Sequence, residues 1–254
     1  MKKSFVIGVD VSKLTLDVHC YGKAECMRAA NNSKGYKALI KWIRKFTRDL
    51  SEVIIVMEYC GVYTYALEKF LHEHHIDFAK RSALDIKRSS GIKRGKTDKA
   101  DASMISQYGW YRRKELQPMK PVSKTQQHLQ QLMAHRDKMV ADRSSYQSRI
   151  KELQQHLGSD LNSLIVNSTQ YIMDVLEVEI KQTELQVKEL LKEEELHTNY
   201  ELITSIKGVG FVSAVHLLIA TENFTRITNA RKFACYCGVE PFTSESGSSI
   251  RGKT

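Results

Sequence analysis

Two apolar runs constrain the fold more than any other feature of this chain. FVIGVDV at residues 5–11 is a compact strand run with one acid, Asp10, near its end. EVIIVME at residues 52–58 is β-branched, continuous and closed by Glu58, as expected of a central strand buried on both faces. Between them, LTLDVHCY at 14–21 alternates Leu14, Leu16, Val18 and Cys20 on one face and reads as a half-buried strand. The Ser12–Lys13 step joins it to the first run as a tight hairpin, and residues 24–30 supply a third antiparallel strand.

Helical periods follow. Asn32–Ser33 caps a helix over 34–48, with Leu39, Ile40, Ile43 and Phe46 on one side. A helix over 63–75 turns Tyr63, Leu67, Phe70 and Leu71 inward, and a short strand follows near 76–79. Residues 83–96 begin as a helix and continue as a Gly-containing basic loop, and 98–111 form another helix. Three strands in a meander, then helix-strand-helix-strand-helix, is the order of an α/β ribonuclease-H-like fold. A dinucleotide-binding reading is weaker, because Gly8 stands alone with no GxGxxG after the first strand.

Charge separates the blocks. Residues 1–120 carry 24 Lys and Arg against 13 Asp and Glu, net +11, whereas residues 121–200 carry 9 against 12. The basic excess is densest in KRSALDIKRSSGIKRGKTDK at 80–99, with eight basic side chains and two Asp. Such a cluster attracts a polyanion, and its plainer reading is a solvated surface. Five Cys without framework spacing argue against a secreted disulfide scaffold, and Cys235/Cys237 lack metal-ligand spacing. The N-terminal apolar run meets Asp10 too early for a signal peptide, and no uncharged stretch reaches about 18 residues. The expectation is a cytoplasmic protein with no membrane segment.

Four carboxylates carry the chemical argument. If the strands holding Asp10 and Glu58 are neighbours, both acids emerge at one sheet edge. Asp98 and Asp101 are three apart, so they share one helix face that can pack over that edge. Four acids at one point repel one another unless hard cations neutralise them, and Mg²⁺ takes about six oxygen ligands. Two such ions clamp a phosphodiester and ready a nucleophile. In the plainer reading, a strand-end Asp caps a turn and Asp98 favours the first turn of its helix. Asp17 and Asp85 are comparable acids that this reading does not select. Lys93, Arg94, Lys96 and Lys99 beside the carboxylates favour the functional reading, since they would hold the polyanion that the acids repel.

The rest of the chain is helical. After Pro118 and Pro121, Leu129, Leu132, Met139, Tyr146, Ile150, Leu153 and Leu157 follow heptad spacing, with Arg136 and Arg143 at the two missing positions. Gly158–Ser159–Asp160 breaks this run, and a second runs Ile172, Leu176, Ile180, Thr183, Val187, Leu190. The pattern predicts an antiparallel hairpin or coiled coil, either packed within the chain or serving as an oligomer arm. From about 201, Gly208 and Gly210 mark a turn between two apolar helical runs, with helix-hairpin-helix spacing. Such an element offers backbone N–H groups to a phosphate, and Gly-x-Gly also makes an ordinary helical corner. The closing GVEPFTSESGSSIRGKT reads as a Gly-containing loop in which a Ser hydroxyl can meet a phosphate beside Arg251 and Lys253.

IGVDVSK, MEYCGVY, KRGKTDKADA, IKGVG and CGVEPFTSESGSSIRGK occur in that order over essentially the whole chain. The combination resembles the Piv-type DEDD transposases and invertases of bacterial insertion sequences. The resemblance implies a RuvC-like catalytic domain over 1–120, a coiled-coil dimerisation region over 121–200 and a serine-bearing, mostly helical domain over 201–254. It implies that Asp10, Glu58, Asp98 and Asp101 bind Mg²⁺ (or Mn²⁺) and that Ser246 is the nucleophile that links covalently to a DNA phosphate. It further implies donor and target DNA as substrates, a structured guide RNA encoded by the element, and dimers or tetramers built through the coiled coil. Members normally continue for several dozen residues past the Ser-Gly loop, whereas this chain stops eight residues after Ser246. A C-terminally truncated member is therefore expected. Two alternatives stay open: a metal-dependent RuvC-like nuclease or junction resolvase that needs no serine, and an inactive nucleic-acid-binding remnant.

Overall fold

The computed structural model describes the backbone of residues 3–89, 98–239, 243–246 and 250–253, and the side chains of residues 3–89 and 100–239. The chain divides into two compact units, Met1–Pro121 and Val122–Thr254.

The first unit is built on a five-stranded sheet in the order β3-β2-β1-β4-β5. Its strands are β1 (Phe5–Val11), β2 (Thr15–Cys20), β3 (Cys26–Ala30), β4 (Val53–Glu58) and β5 (Asp77–Arg81). The β1–β2 and β2–β3 pairs are antiparallel, while β4 pairs parallel to β1 and β5 parallel to β4. Connection length explains the difference. Only three residues separate β1 from β2, which permits a hairpin and no crossover. That turn is closed by Ser12 N–H donating to the Thr15 carbonyl and Thr15 N–H donating to Ser12 Oγ, both at 2.9 Å. The longer connections carry α1 (Ser33–Ile43) and α2 (Val62–Glu73), and α3 (Ala83–Ser89) and α4 (Asp98–Tyr111) follow β5. This mixed sheet with its helices is compatible with a ribonuclease-H-like α/β fold.

Strand parity sorts the sheet into two faces. Ile7, Val9 and Val11 join Leu16, Val18, Ile55, Met57 and Phe78 beneath α1 and α2. Val6, Ile54, Val56 and Ala79 face the other way and pack on Ile86 of α3 and on Ile105 and Tyr108 of α4. α4 approaches so closely that a Cβ on Gly8 would lie 2.3 Å from both the Ala102 carbonyl oxygen and the Ser106 nitrogen. Further along, a Cβ on Gly109 would meet Val6 and Val56, each at 2.7 Å. Since 102 and 106 lie over Gly8 while 109 lies over Val6, α4 runs back along β1. Its first turn therefore heads toward the carboxyl end of β1.

Two expected core positions differ. Leu14 is 73% exposed, because it belongs to the β1–β2 turn and precedes β2. Tyr63 is 45% exposed, because the inward face of α2 begins with Thr64 and continues through Leu67, Glu68 and Leu71. Glu68 is fully buried and its Oε1 lies 3.0 Å from Nζ of Lys80, itself only 2% exposed. Thr64 Oγ1 donates to the same carboxylate at 2.5 Å, and the Tyr59 ring lies 5.2 Å from Lys80 Nζ.

The second unit begins with two long helices, α5 (Lys124–Leu157) and α6 (Ser163–Leu190). Ser123 and Asn162 cap them, accepting from the N–H of Gln126 and Leu164 respectively. Arg136 Nε lies 2.9 Å from Glu184, and Arg143 Nη2 lies 3.0 Å from Glu177. A step of seven along α5 is matched by a step of seven back along α6, so the helices are antiparallel. At their base Leu129, Met133, Val187 and Leu191 form one cluster with Leu196, Ile203, Ala214, Val215 and Leu218. The last five come from α7 (Glu194–Thr204) and α8 (Phe211–Thr221), which α9 (Ala230–Tyr236) follows. The Ser-rich tail departs from the expected loop. β6 (Thr243–Ser246) and β7 (Ile250–Lys253) pair antiparallel, as short Thr/Ser stretches can do. No helix among the described residues is long and apolar enough to cross a membrane.

Replacing Gly8 by Ala should force α4 off the sheet and cost about 1–3 kcal/mol of stability. Urea unfolding monitored by circular dichroism measures this, and an unchanged midpoint would mean that α4 does not rest on β1.

Candidate active site

Asp10 and Glu58 stand side by side at the carboxyl edge of the sheet. The parallel register pairs Gly8 with Val56 and Val9 with Met57, and one further step brings Asp10 level with Glu58. Parity points both toward the α4 face, and both are half-buried. The Cys60 thiol is pushed up to about 11, first by its burial and then by the Glu58 and Asp10 carboxylates. One neighbouring group thus feels both acids. Their oxygens are the donors that Mg²⁺ or Mn²⁺ takes, and their joint negative charge is what such a cation neutralises. The donor chemistry fits a hard divalent ion.

A third acid shares this face, one that the sequence offers as comparable but does not single out. Asp17 is the cross-strand partner of Asp10 on β2. It is buried, and Arg28 Nε lies 3.5 Å from its carboxylate. The signal was present in LTLDVHCY, where Asp17 falls out of phase with Leu16 and Val18 and hence on the Asp10 face. His19, paired with Gly8, shares that face. Its Nδ1 is 2.7 Å from Ser106 Oγ, which itself donates to the Ser103 carbonyl at 2.8 Å. Burial holds the imidazole below its usual range, partly offset by a hydrogen bond with the Lys23 backbone.

Asp98 and Asp101 occupy the first turn of α4, which heads toward the Asp10 end of β1. Asp101 is half-buried, and the Asp98 side chain lies outside the described ones. Among the described residues, no group of three or more His, Cys, Asp or Glu gathers tightly enough to hold a metal ion. Lys93, Arg94 and Lys96 lie outside the described residues, and Lys99 is described only as the second residue of α4.

In the second unit, Gly208 and Gly210 form the corner between α7 and α8. Gly208 has φ +94°, a conformation that favours glycine, and Gly210 caps α8 without a side chain. Ser246 ends β6, paired with Ile250. Arg251 pairs with Glu245 and Lys253 with Thr243.

Comparison with known proteins adds an independent line. A family model for transposases, DEDD_Tnp_IS110, matches residues 7–157. A second, described as Transposase IS116/IS110/IS902 family, matches residues 200–254. The chain is 28% identical over 258 residues to the pilin gene-inverting protein of Moraxella bovis, covering 98% of this chain and 76% of that protein. The pilin gene-inverting protein of Moraxella lacunata matches with the same identity and coverage. An uncharacterized 43.6 kDa protein of insertion element IS110 from Streptomyces coelicolor is 30% identical over 96 residues, covering 38% of this chain and 23% of that protein.

Carboxylates crowded for chemistry cost stability, whereas carboxylates that cap turns supply it. Asp10→Asn and Glu58→Gln should each stabilise the protein in metal-free buffer, by up to about 1 kcal/mol. Urea titration in the presence of EDTA gives the sign, and a loss of stability would mark these acids as structural.

Proposed function

The chain belongs to the IS110-type DEDD transposase family, and on that premise we propose that it exchanges DNA strands through a covalent phosphoserine link. The observation that supports this reading best is the course of α4 back along β1, toward the edge that carries Asp10 and Glu58. In this reading Asp10, Glu58, Asp98 and Asp101 hold Mg²⁺ or Mn²⁺. Bound divalent ions supply Lewis acidity to a phosphodiester and neutralise charge that develops on it.

Ser246 is the nucleophile in this mechanism. Its Oγ forms a bond to phosphorus while the bond from phosphorus to the departing strand oxygen breaks. The serine proton leaves to solvent, and the departing oxygen takes one up. A hydroxyl of a second strand then attacks the phosphoserine, releasing Ser246 and joining the new strands, so no net hydrolysis occurs. Exchange at two sites inverts the segment between them, the event named in the Moraxella relatives. Lys93, Arg94, Lys96 and Lys99 hold nucleic-acid backbone near the acids, Arg251 and Lys253 offset phosphate charge near Ser246, and the Gly208–Gly210 corner offers N–H groups to a further phosphate. A structured guide RNA, which the family resemblance implies, selects the sites by base pairing. The net +11 of residues 1–120 suits two polyanions.

Assembly is proposed through α6. Leu164, Tyr171, Val175, Val178 and Leu185 are all exposed on it, at heptad spacing distinct from the line that meets α5. A second copy of the chain covers this seam in the proposed dimer or tetramer.

Covalent trapping tests the chemistry. Labelled junction DNA from the flanks of the chain's own gene, its matching RNA and Mg²⁺ should yield labelled protein after denaturation. Ser246→Ala and Asp10→Ala should each abolish the band. Cleavage that survives Ser246→Ala would indicate a nuclease, and binding without a band would leave only a nucleic-acid-binding protein. Independently, Tyr171→Glu with Val178→Glu should lower the mass found by sedimentation without loss of helix. An unchanged mass would overturn the seam.

A further inference from the structure

The far end of α4 carries a second constellation. Tyr111 closes α4 and is 67% exposed. Its ring rests against Tyr21 and otherwise lies open to water. Behind it, Tyr21 stacks on Trp110 with centroids 4.8 Å apart and planes at 15°. Tyr21 also meets Tyr111 edge-on at 6.1 Å. The Arg113 guanidinium lies 4.0 Å from the Trp110 ring centre, and its Nη1 donates to the Trp110 carbonyl at 2.7 Å. This stack stiffens the helix end that presents Tyr111.

Beside the ring lies a cavity of about 320 Å³, lined among the described residues by Ser89, Gln107, Tyr108, Tyr111 and Arg112. Its lining combines a hydroxyl, an amide, two phenols and a guanidinium. One Arg112 nitrogen is engaged by Glu115 at 2.9 Å, and guanidinium carries five donors. Lys87 and Arg88 end α3 near the cavity's Ser89, and Lys114 follows Arg113 in sequence. A rigid open aromatic face, hydrogen-bonding groups suited to a base edge and surrounding positive charge are the components of an unpaired-nucleotide site. Asp98 and Tyr111 are the ends of a 14-residue helix, so about 20 Å separates this cavity from the carboxylate end. A strand stacked at 3.4 Å per nucleotide crosses that distance in about six steps.

We infer that Tyr111, Arg112 and Gln107 form a binding site for one unpaired nucleotide of a single strand, separate from the carboxylate site. The inference rests on the proposed reading of the chain as a nucleic-acid enzyme and adds a single-strand anchor to it. Tyr111 stacks on the base, Gln107 meets its edge and Arg112 its phosphate.

Fluorescence anisotropy with 12-nucleotide dT, 12-nucleotide U and a 12-base-pair duplex tests it on the full chain. Tyr111→Ala should weaken binding of one or both single strands about 10-fold and leave duplex binding unchanged. Whichever homopolymer loses more identifies DNA or RNA as the source. Tyr111→Phe, which keeps the ring, should stay within about 2-fold of the unaltered chain. Arg112→Gln, an exposed change that spares the aromatic stack, should lower the salt slope of single-strand binding by about one. A 5-iodouracil strand should crosslink at Tyr111. If the unaltered chain binds nucleic acid and Tyr111→Ala binds single strands equally well, this inference falls and the proposed function stands. Equal weakening of single strands and duplex overturns it likewise, as does a change in sedimenting mass without a change in binding. If the unaltered chain binds none of the three, both readings fall.

Discussion

The first unit depends on a missing side chain. With no Cβ at Gly8, the α4 backbone lies directly on β1, its Ala102 and Ser106 atoms where a methyl group would otherwise sit. Gly109 repeats the arrangement one step along, against Val6 and Val56. Two close approaches fix a line, and the line fixes the direction of α4. The helix start then goes to the carboxyl edge of the sheet and the Tyr111 cluster to the other end. A single methyl at residue 8 would disturb both ends of the helix together.

The two faces of the sheet handle charge differently. Under α2, Lys80 and Glu68 are almost wholly buried, and Glu68 Oε2 has no hydrogen-bond partner. Desolvation offsets much of such a pair's attraction, so it adds little net stability, although removing one partner is costly. Its effect is positional. It ties β5 to α2, and its lysine lies near the Tyr59 ring, next in sequence to Glu58. Over the α4 side, Asp10, Asp17 and Glu58 gather same-sign charge at one edge, with Arg28 set against Asp17.

Much of this was legible in the sequence, for physical reasons that vary by residue. Continuous β-branched runs gave β1 and β4 within a residue, because burial on both faces leaves no room for polar side chains. Asp10 and Glu58 stood out as acids ending such runs, and parity alone then puts them on one face. Asp17 was passed over although its phase against Leu16 and Val18 was readable, because cross-strand pairing with Asp10 becomes visible only once register is known. The Lys80–Glu68 pair was not legible at all: a lysine in a strand and a glutamate in a helix look like surface residues until the crossover brings them together. Leu14 and Tyr63 were misplaced because hydrophobic period ignores turn geometry and where a helix meets its sheet. The Ser-rich tail hid a hairpin because Thr and Ser serve strands and loops alike.

The antiparallel pairing of α5 and α6 gives the second unit a property of a different kind. α5 has 34 residues, about 50 Å at 1.5 Å per residue, or some fifteen base-pair steps of duplex DNA. Arg136 and Arg143 are seven apart, as are Glu184 and Glu177, so the two ion pairs act as matched teeth. A slide by one heptad would bring Arg136 to Glu177 and strand Arg143 against Gln170. Length in this hairpin is therefore quantised. Adding seven residues to each helix extends the reach by about 10 Å with the teeth in step, while inserting three or four overwinds or unwinds the pair locally. A whole heptad is thus the increment of span that leaves both ion pairs and both helix faces in register.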